Sequence, residues 1–134
     1  MNIISKENLF DFANLFIKKS KDEIYSIING SEIHKLDKNK ILIKGDNPKT
    51  FTIILDFDNE YIRCLTYSSI HEVSIADLIA AFGFYRKVYV PYDDKYHLFF
   101  NENYAKGKFT IKVLCSDIEQ EKSNKINLLQ FYFT

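Results

Sequence analysis

Three histidines, two cysteines and one acidic run are the groups in this 134-residue chain with the means to do chemistry. His34, His71 and His97 stand in different segments, and none belongs to an HxH, HxxxH or HExxH unit that would set two imidazoles on one face. Cys64 and Cys115 lack CxxC spacing, and each sits in an apolar, strand-like run where a cysteine behaves as a small buried hydrophobe. Asp56, Asp58 and Glu60 alternate like cation ligands. The EF-hand pattern nevertheless fails, because no glycine follows at the sixth position and Tyr67 stands where the bidentate glutamate belongs, so a solvated hairpin tip is the expectation. Gly83 and Gly107 stand alone, without a phosphate-cradling glycine run, and there is no GxSxG elbow. The expectation is a non-enzyme with no catalytic residue, metal or cofactor.

One cluster remains. Tyr89, Tyr92, Asp93, Asp94 and Tyr96, with Tyr104 further on, gather tyrosines and acids around a single hairpin tip. Tyrosine is enriched where partners dock, because it carries a large apolar ring with a polar end. Tyr61 and Arg63 make a smaller second patch. The reading that follows is a protein-binding surface. Its alternatives are a ligand or enzyme site assembled by the fold from His97, Tyr96, Asp56 and His34, and a structural adaptor.

Acids and bases cancel to a formal charge of zero, and only two of the 18 basic residues are arginine, Arg63 and Arg86. Neither a nucleic-acid partner nor a membrane surface is expected of such a chain. The first ten residues hold no apolar core of a signal peptide and no later segment is apolar enough to span a bilayer, so a cytoplasmic protein, monomeric when free, is expected. Residues 1–134 are one domain's worth, long enough to bury a core without staples. At 16% aromatic, with 12 Phe and 9 Tyr but no Trp, that core is phenylalanine-rich.

The elements that must position these groups follow from periodicity. Ser5 to Asn29 keeps one helical phase through Leu9, Phe12, Phe16, Ile24 and Ile28, which predicts a single helix, bent where a capping box runs from Ser20 to Glu23. Glu32–Leu36 and Ile41–Lys44 read as strands. Thr50–Phe57 and Tyr61–Tyr67 read as a hairpin turning at Asp58 and Asn59, with Leu55 opposite Ile62 and Ile53 opposite Cys64. Ser74 and Asp77 form a second capping box; Ile75, Leu78, Ile79 and Phe82 share one helical face, and Gly83 ends the helix, with His71 in a loop before it. Strands Lys87–Val90 and Tyr96–Phe100 flank the aromatic tip. Lys108–Cys115 alternates as a half-buried strand, Ser116–Lys125 is a polar loop, and Ile126–Phe133 is the last strand. The expected fold is α+β: two helices packed on an antiparallel sheet of about seven to eight strands, continuous or split in two.

VSIADLIAAFG followed by KVYVPYDDKYHLFF, within Val73 to Phe100, resembles the helix-glycine-hairpin element of small bacterial α+β proteins, among them immunity proteins that neutralise toxins delivered between cells. The resemblance implies a non-catalytic cytoplasmic inhibitor that occludes the active site of a cognate toxin through exposed side chains. It transfers no functional residue, because such families diverge at the binding surface. Against a nuclease toxin, Asp93 and Asp94 would imitate phosphates.

Overall fold

The computed structural model of the chain describes residues 11, 14–16, 19–28, 32–44, 51–103, 109–115 and 125–133. Its elements in order are α1 (Lys21–Ile27), β1 (Glu32–Asp37), β2 (Lys40–Lys44), β3 (Phe51–Asp58), β4 (Tyr61–Ser74), α2 (Ile75–Phe82), β5 (Arg86–Val90), β6 (Lys95–Phe100), β7 (Phe109–Cys115) and β8 (Lys125–Phe133). The strands form one eight-stranded antiparallel sheet in the order β1-β2-β3-β4-β8-β7-β6-β5. The α+β class thus holds, and the sheet is continuous, not split. Two four-stranded meanders, each preceded by a serine-capped helix, meet along β4 and β8. No helix among the described residues is long and apolar enough to cross a membrane.

Both capping boxes form. The Ser74 hydroxyl accepts the Asp77 N–H at 3.0 Å, and the Asp77 carboxylate accepts the Ser74 N–H at 3.2 Å. Ser20 and Glu23 exchange the same pair of bonds at 3.3 Å each. The Ser20–Glu23 box corrects the expectation of one helix from Ser5 to Asn29: Ser20 is extended (φ −76°, ψ 166°) and starts a new helix instead of bending an old one. Two interactions hold it there. Ser20 makes a β-bridge to Tyr61, and the Lys21 N–H bonds the Glu60 carbonyl at 2.9 Å, contacts that a straight helix could not offer.

Alternation decides the two faces of the sheet. Ile41, Leu55, Leu65, Phe131, Ile111 and Phe100 stand opposite one another in a single row across six strands. None is more than 3% exposed. Burying each stabilises the fold by about 1.5–3 kcal/mol before cavity terms. Ile24 and Ile28 from the α1 segment and Ile75, Leu78 and Phe82 from α2 join the same core, and the Phe82 ring meets Phe109 edge-on at 5.7 Å. The opposite face carries the half-exposed row Leu42, Ile54, Thr66, Gln130, Lys112 and Phe99. Cys64 and Cys115 are buried free thiols.

The β3–β4 pairing departs from expectation: the turn comes one residue later, and Leu55 lies opposite Leu65, three positions beyond the expected Ile62. The turn falls at Asn59–Glu60, with Asp58 opposite Tyr61 and Asn59 at φ 59°, a value asparagine tolerates. Phe57 then faces Ile62, Asp56 faces Cys64, and Arg63 is left over as a β-bulge. The bulge turns Leu65 and Tyr67 inward, where Leu65 meets Leu55 and Tyr67 meets Ile53. Cys64 moves to the other face. β4 also continues to Ser74, so His71 lies in a strand and not in a loop.

Gly83 caps α2 with its N–H on the Ile79 carbonyl at 2.8 Å, at φ 86° and ψ −178° and not in the left-handed helical conformation common at helix ends. That extended, positive-φ region is essentially restricted to glycine. A Cβ there would meet nothing within 4 Å, so Gly83→Ala isolates backbone strain from crowding. It should cost about 1–3 kcal/mol in urea unfolding, and a loss below about 0.5 kcal/mol would contradict the assignment.

Candidate functional site

The tyrosine and acid cluster is gathered by one local device, the β5–β6 hairpin, whose five facing pairs run in unbroken register from Arg86 with Phe99 to Val90 with Lys95. β5 is the outermost strand on its side of the sheet. Tyr89 and Tyr96 are cross-strand neighbours on the helix side, ring centroids 5.3 Å apart. His97 and Val88 face each other on the opposite side, where His97 is only 7% exposed.

The turn between the strands is held by its own acids. Asp93 accepts the Lys95 N–H at 3.1 Å through one oxygen and lies 3.0 Å from His97 Nε2 through the other. An ionised carboxylate can only accept, so His97 donates from Nε2. That hydrogen bond, foremost, holds the Asp93 carboxyl below the ordinary aspartate value. Asp94 takes φ 54° and accepts the Tyr89 hydroxyl, which raises the phenol's pKa. Asp93 and Asp94 are thus the tip's internal struts, although Asp94 stays exposed. Tyr92 is 88% exposed.

The other end of β5 carries an aromatic that its sequence neighbourhood does not advertise. Phe84, 76% exposed, stacks on Tyr85 at 4.6 Å and 13°, and Tyr85 in turn contacts the fully buried Phe100 at 5.3 Å. Beside them Arg86 makes two 2.8 Å bonds to Glu102 and lies over the Phe99 ring at 4.8 Å. The guanidinium bonds keep the Glu102 carboxyl below its usual value. The one available sequence signal was an aromatic directly after a helix-ending glycine, off the helical phase.

The remaining expected groups lie elsewhere. Tyr61, 57% exposed, and Arg63, paired with Asp56 at 3.2 Å, sit at the opposite end of the sheet with β8 and β7 between their strand and β6. Strand spacing and rise put them roughly 30 Å from the hairpin tip, so the two patches are not one surface. The residues of the alternative assembled site do not converge either. Tyr96 and His97 point to opposite faces of β6. Asp56 is engaged by Arg63, and His34 pairs with Glu32 at 2.9 Å on β1, the far edge. Tyr104 lies outside the described residues. No group of three or more histidine, cysteine or acidic side chains among the described residues could hold a metal ion. A cleft of about 280 Å³, which the sequence did not foretell, opens where α1 meets the β1–β2 hairpin, rimmed by Lys21, Lys35 and Lys38 and by Asp22, Asp37 and Glu60.

Because the folded state lowers the Asp93 pKa, the stability it contributes is complete above the unfolded value near 3.9 and disappears as pH falls through the lower, folded one. Carboxyl-carbon NMR should place the Asp93 midpoint below 3.8. Asp93→Asn should flatten the acid limb of a urea-midpoint profile below about pH 4. A midpoint at the free-aspartate value would show that the His97 bond does not form.

No protein-family model and no curated protein matches the chain. Among solved structures it is similar to YjgB, a DUF4309-family protein of Bacillus subtilis, with a TM-score of 0.60 at 14% identity over 96% of this chain and 95% of that one. It is also similar to SAV1118, a cysteine-rich secretory protein of Staphylococcus aureus, with a TM-score of 0.49 at 12% identity over 89% of this chain and 45% of that one. The first likeness establishes a fold held in common with YjgB over nearly the whole of both chains.

Proposed function

We propose that this protein works by contact, as a non-catalytic inhibitor that docks on a protein partner with the β5–β6 end of its sheet. In its most concrete form it is an immunity protein that covers the active site of a cognate bacterial toxin. The observation that carries the reading is the clustering of exposed aromatics. Of six exposed large hydrophobic side chains among the described residues, Phe84, Tyr89 and Tyr92 fall within nine positions of one edge. Each is braced: Phe84 on Tyr85, Tyr89 on Tyr96 and Asp94, and Tyr92 on a turn that Asp93 ties down.

Pre-organisation of this kind favours affinity, because little side-chain or loop entropy is left to lose on docking. Tyrosine is also among the side chains enriched at binding hot spots. The toxin as partner rests on the resemblance of the helix-glycine-hairpin element to that of immunity proteins, and this element is the one that forms the edge. Phosphate mimicry by the tip is its weaker form, since Asp93 is occupied within the chain.

Co-expression with the product of a neighbouring reading frame should give a stable stoichiometric complex in which that product's toxin activity is silenced. Tyr92→Ala should weaken that complex by about thirtyfold, the effect of a 2 kcal/mol hot spot, without moving the thermal midpoint of the free protein. Tyr61→Ala, at the far end of the sheet, should leave it unchanged. A complex indifferent to Tyr92 and Tyr89, or no complex with any neighbouring gene product, would overturn the reading.

A further inference from the structure

The two edges of the sheet are not alike. β1 is interrupted by a register shift between Lys35 and Asp37 and carries charged, exposed side chains along its length, devices that keep other strands from adding to it. β5 is unbulged, and its flanks are aromatic. Its residues also have an order that the proposed inhibitor role does not require: they are complementary to themselves when the strand is reversed about Val88.

We propose that in the free protein the outer edge of β5 pairs with β5 of a second copy, antiparallel, with Val88 on the two-fold axis, in place of the monomer expected from the sequence. In this register Val88 faces its own copy, Lys87 faces Tyr89, and Arg86 faces Val90. No two like charges stand opposite each other, and each lysine meets a tyrosine ring, as Lys87 already does within its own chain at 5.0 Å from the Tyr96 centroid. Phe84 and Tyr92 lie four positions to either side of Val88, so each end of the seam brings the 76%-exposed ring of one copy beside the 88%-exposed ring of the other. On the open face, the cross-strand row Leu114, His97, Val88 continues into Val88, His97, Leu114 of the second copy. One continuous sheet then spans both copies, an isologous closed pair with no further β5 edge to propagate.

A five-residue strand with its flanking rings buries on the order of 1,000 Å² over both copies, below the standard size for a stable interface, so the pair is weak and dissociates on dilution. Its consequence bears on the proposed role. The pair covers the same aromatics that would meet the partner, so a tighter-binding partner displaces the second copy and leaves a complex containing one chain. The pairing concerns the free chain and stands or falls without the inhibitor reading.

Sedimentation equilibrium of the isolated protein from about 1 to 500 µM should show the mass rising from 15.8 kDa toward twice that value, with a micromolar dissociation constant. Replacing Phe84 and Tyr92 together by alanine should weaken pairing by at least about tenfold. Opposed Cα atoms of antiparallel strands lie about 4.5–5.5 Å apart, within disulfide reach, so oxidation reads the register. Val88→Cys should cross-link to itself. Lys87→Cys and Tyr89→Cys should cross-link when mixed but neither alone, and the buried Cys64 and Cys115 do not compete. A protein that stays at one chain's mass at 500 µM, or a dimer in which Tyr89→Cys cross-links to itself and Val88→Cys does not, would overturn the proposal. Co-purification with a toxin tests the inhibitor role separately.

Discussion

The pairing of β4 with β8 is the contact on which the other arrangements depend. Each meander pairs strands that are neighbours in sequence, and among the described strands it is this seam that pairs one meander with the other, bringing Thr66 beside Gln130, 64 positions along the chain, with a 3.4 Å side-chain bond between them. Leu65, Phe131 and Ile111 then become consecutive members of one buried row, and the core that both helices cover runs across the join without a gap. Without the seam, two four-stranded sheets would each expose an apolar inner edge. The bulge at Arg63 serves the same end, because it is what turns Leu65 and Tyr67 toward that core.

Around this centre the edges are free to differ, and the difference is where function is argued. The β5 side combines local rigidity with exposed apolar surface. His97, Asp93 and the Lys95 amide fix the turn, Arg86 and Glu102 fix the strand's start, and Tyr85 ties the exposed Phe84 to the buried Phe100. Surfaces built this way present rings without leaving them free to collapse onto their own chain. The inhibitor and self-pairing proposals draw on that single property and differ in what covers the rings.

What was legible in the sequence was what is decided locally. Ser74 with Asp77 and Ser20 with Glu23 announce helix starts because a capping box is complete within four residues, and β7 announces itself by alternation from Phe109 to Cys115. The hairpin cluster of Tyr89, Tyr92, Asp93, Asp94 and Tyr96 came together for the same reason. The failures are decisions taken across space. A continuous apolar phase concealed the break at Ser20, which a bridge to Tyr61 stabilises. A one-residue shift of the β3–β4 turn was hidden because it moves the pairing by two positions and leaves the facing of each residue unchanged, and the bulge beyond it then adds a third position. The insertion of β8 between β4 and β7, which makes one sheet of two, leaves no mark in either strand's own residues. Phe84 was passed over because the glycine before it marks only where the helix stops.

The place of β8 has a consequence for how the chain is made. Synthesis delivers β1 to β4 first, as a meander with a helix to cover it, and β5 to β7 follow, yet the central position stays vacant until residues 125–133 arrive. Closing that gap spans a large sequence separation, a slow and entropically costly step. The nascent protein therefore waits with two inward-facing strand edges, β4 and β7, unprotected, and its exposure to misassembly with other chains is greatest just before the final strand emerges.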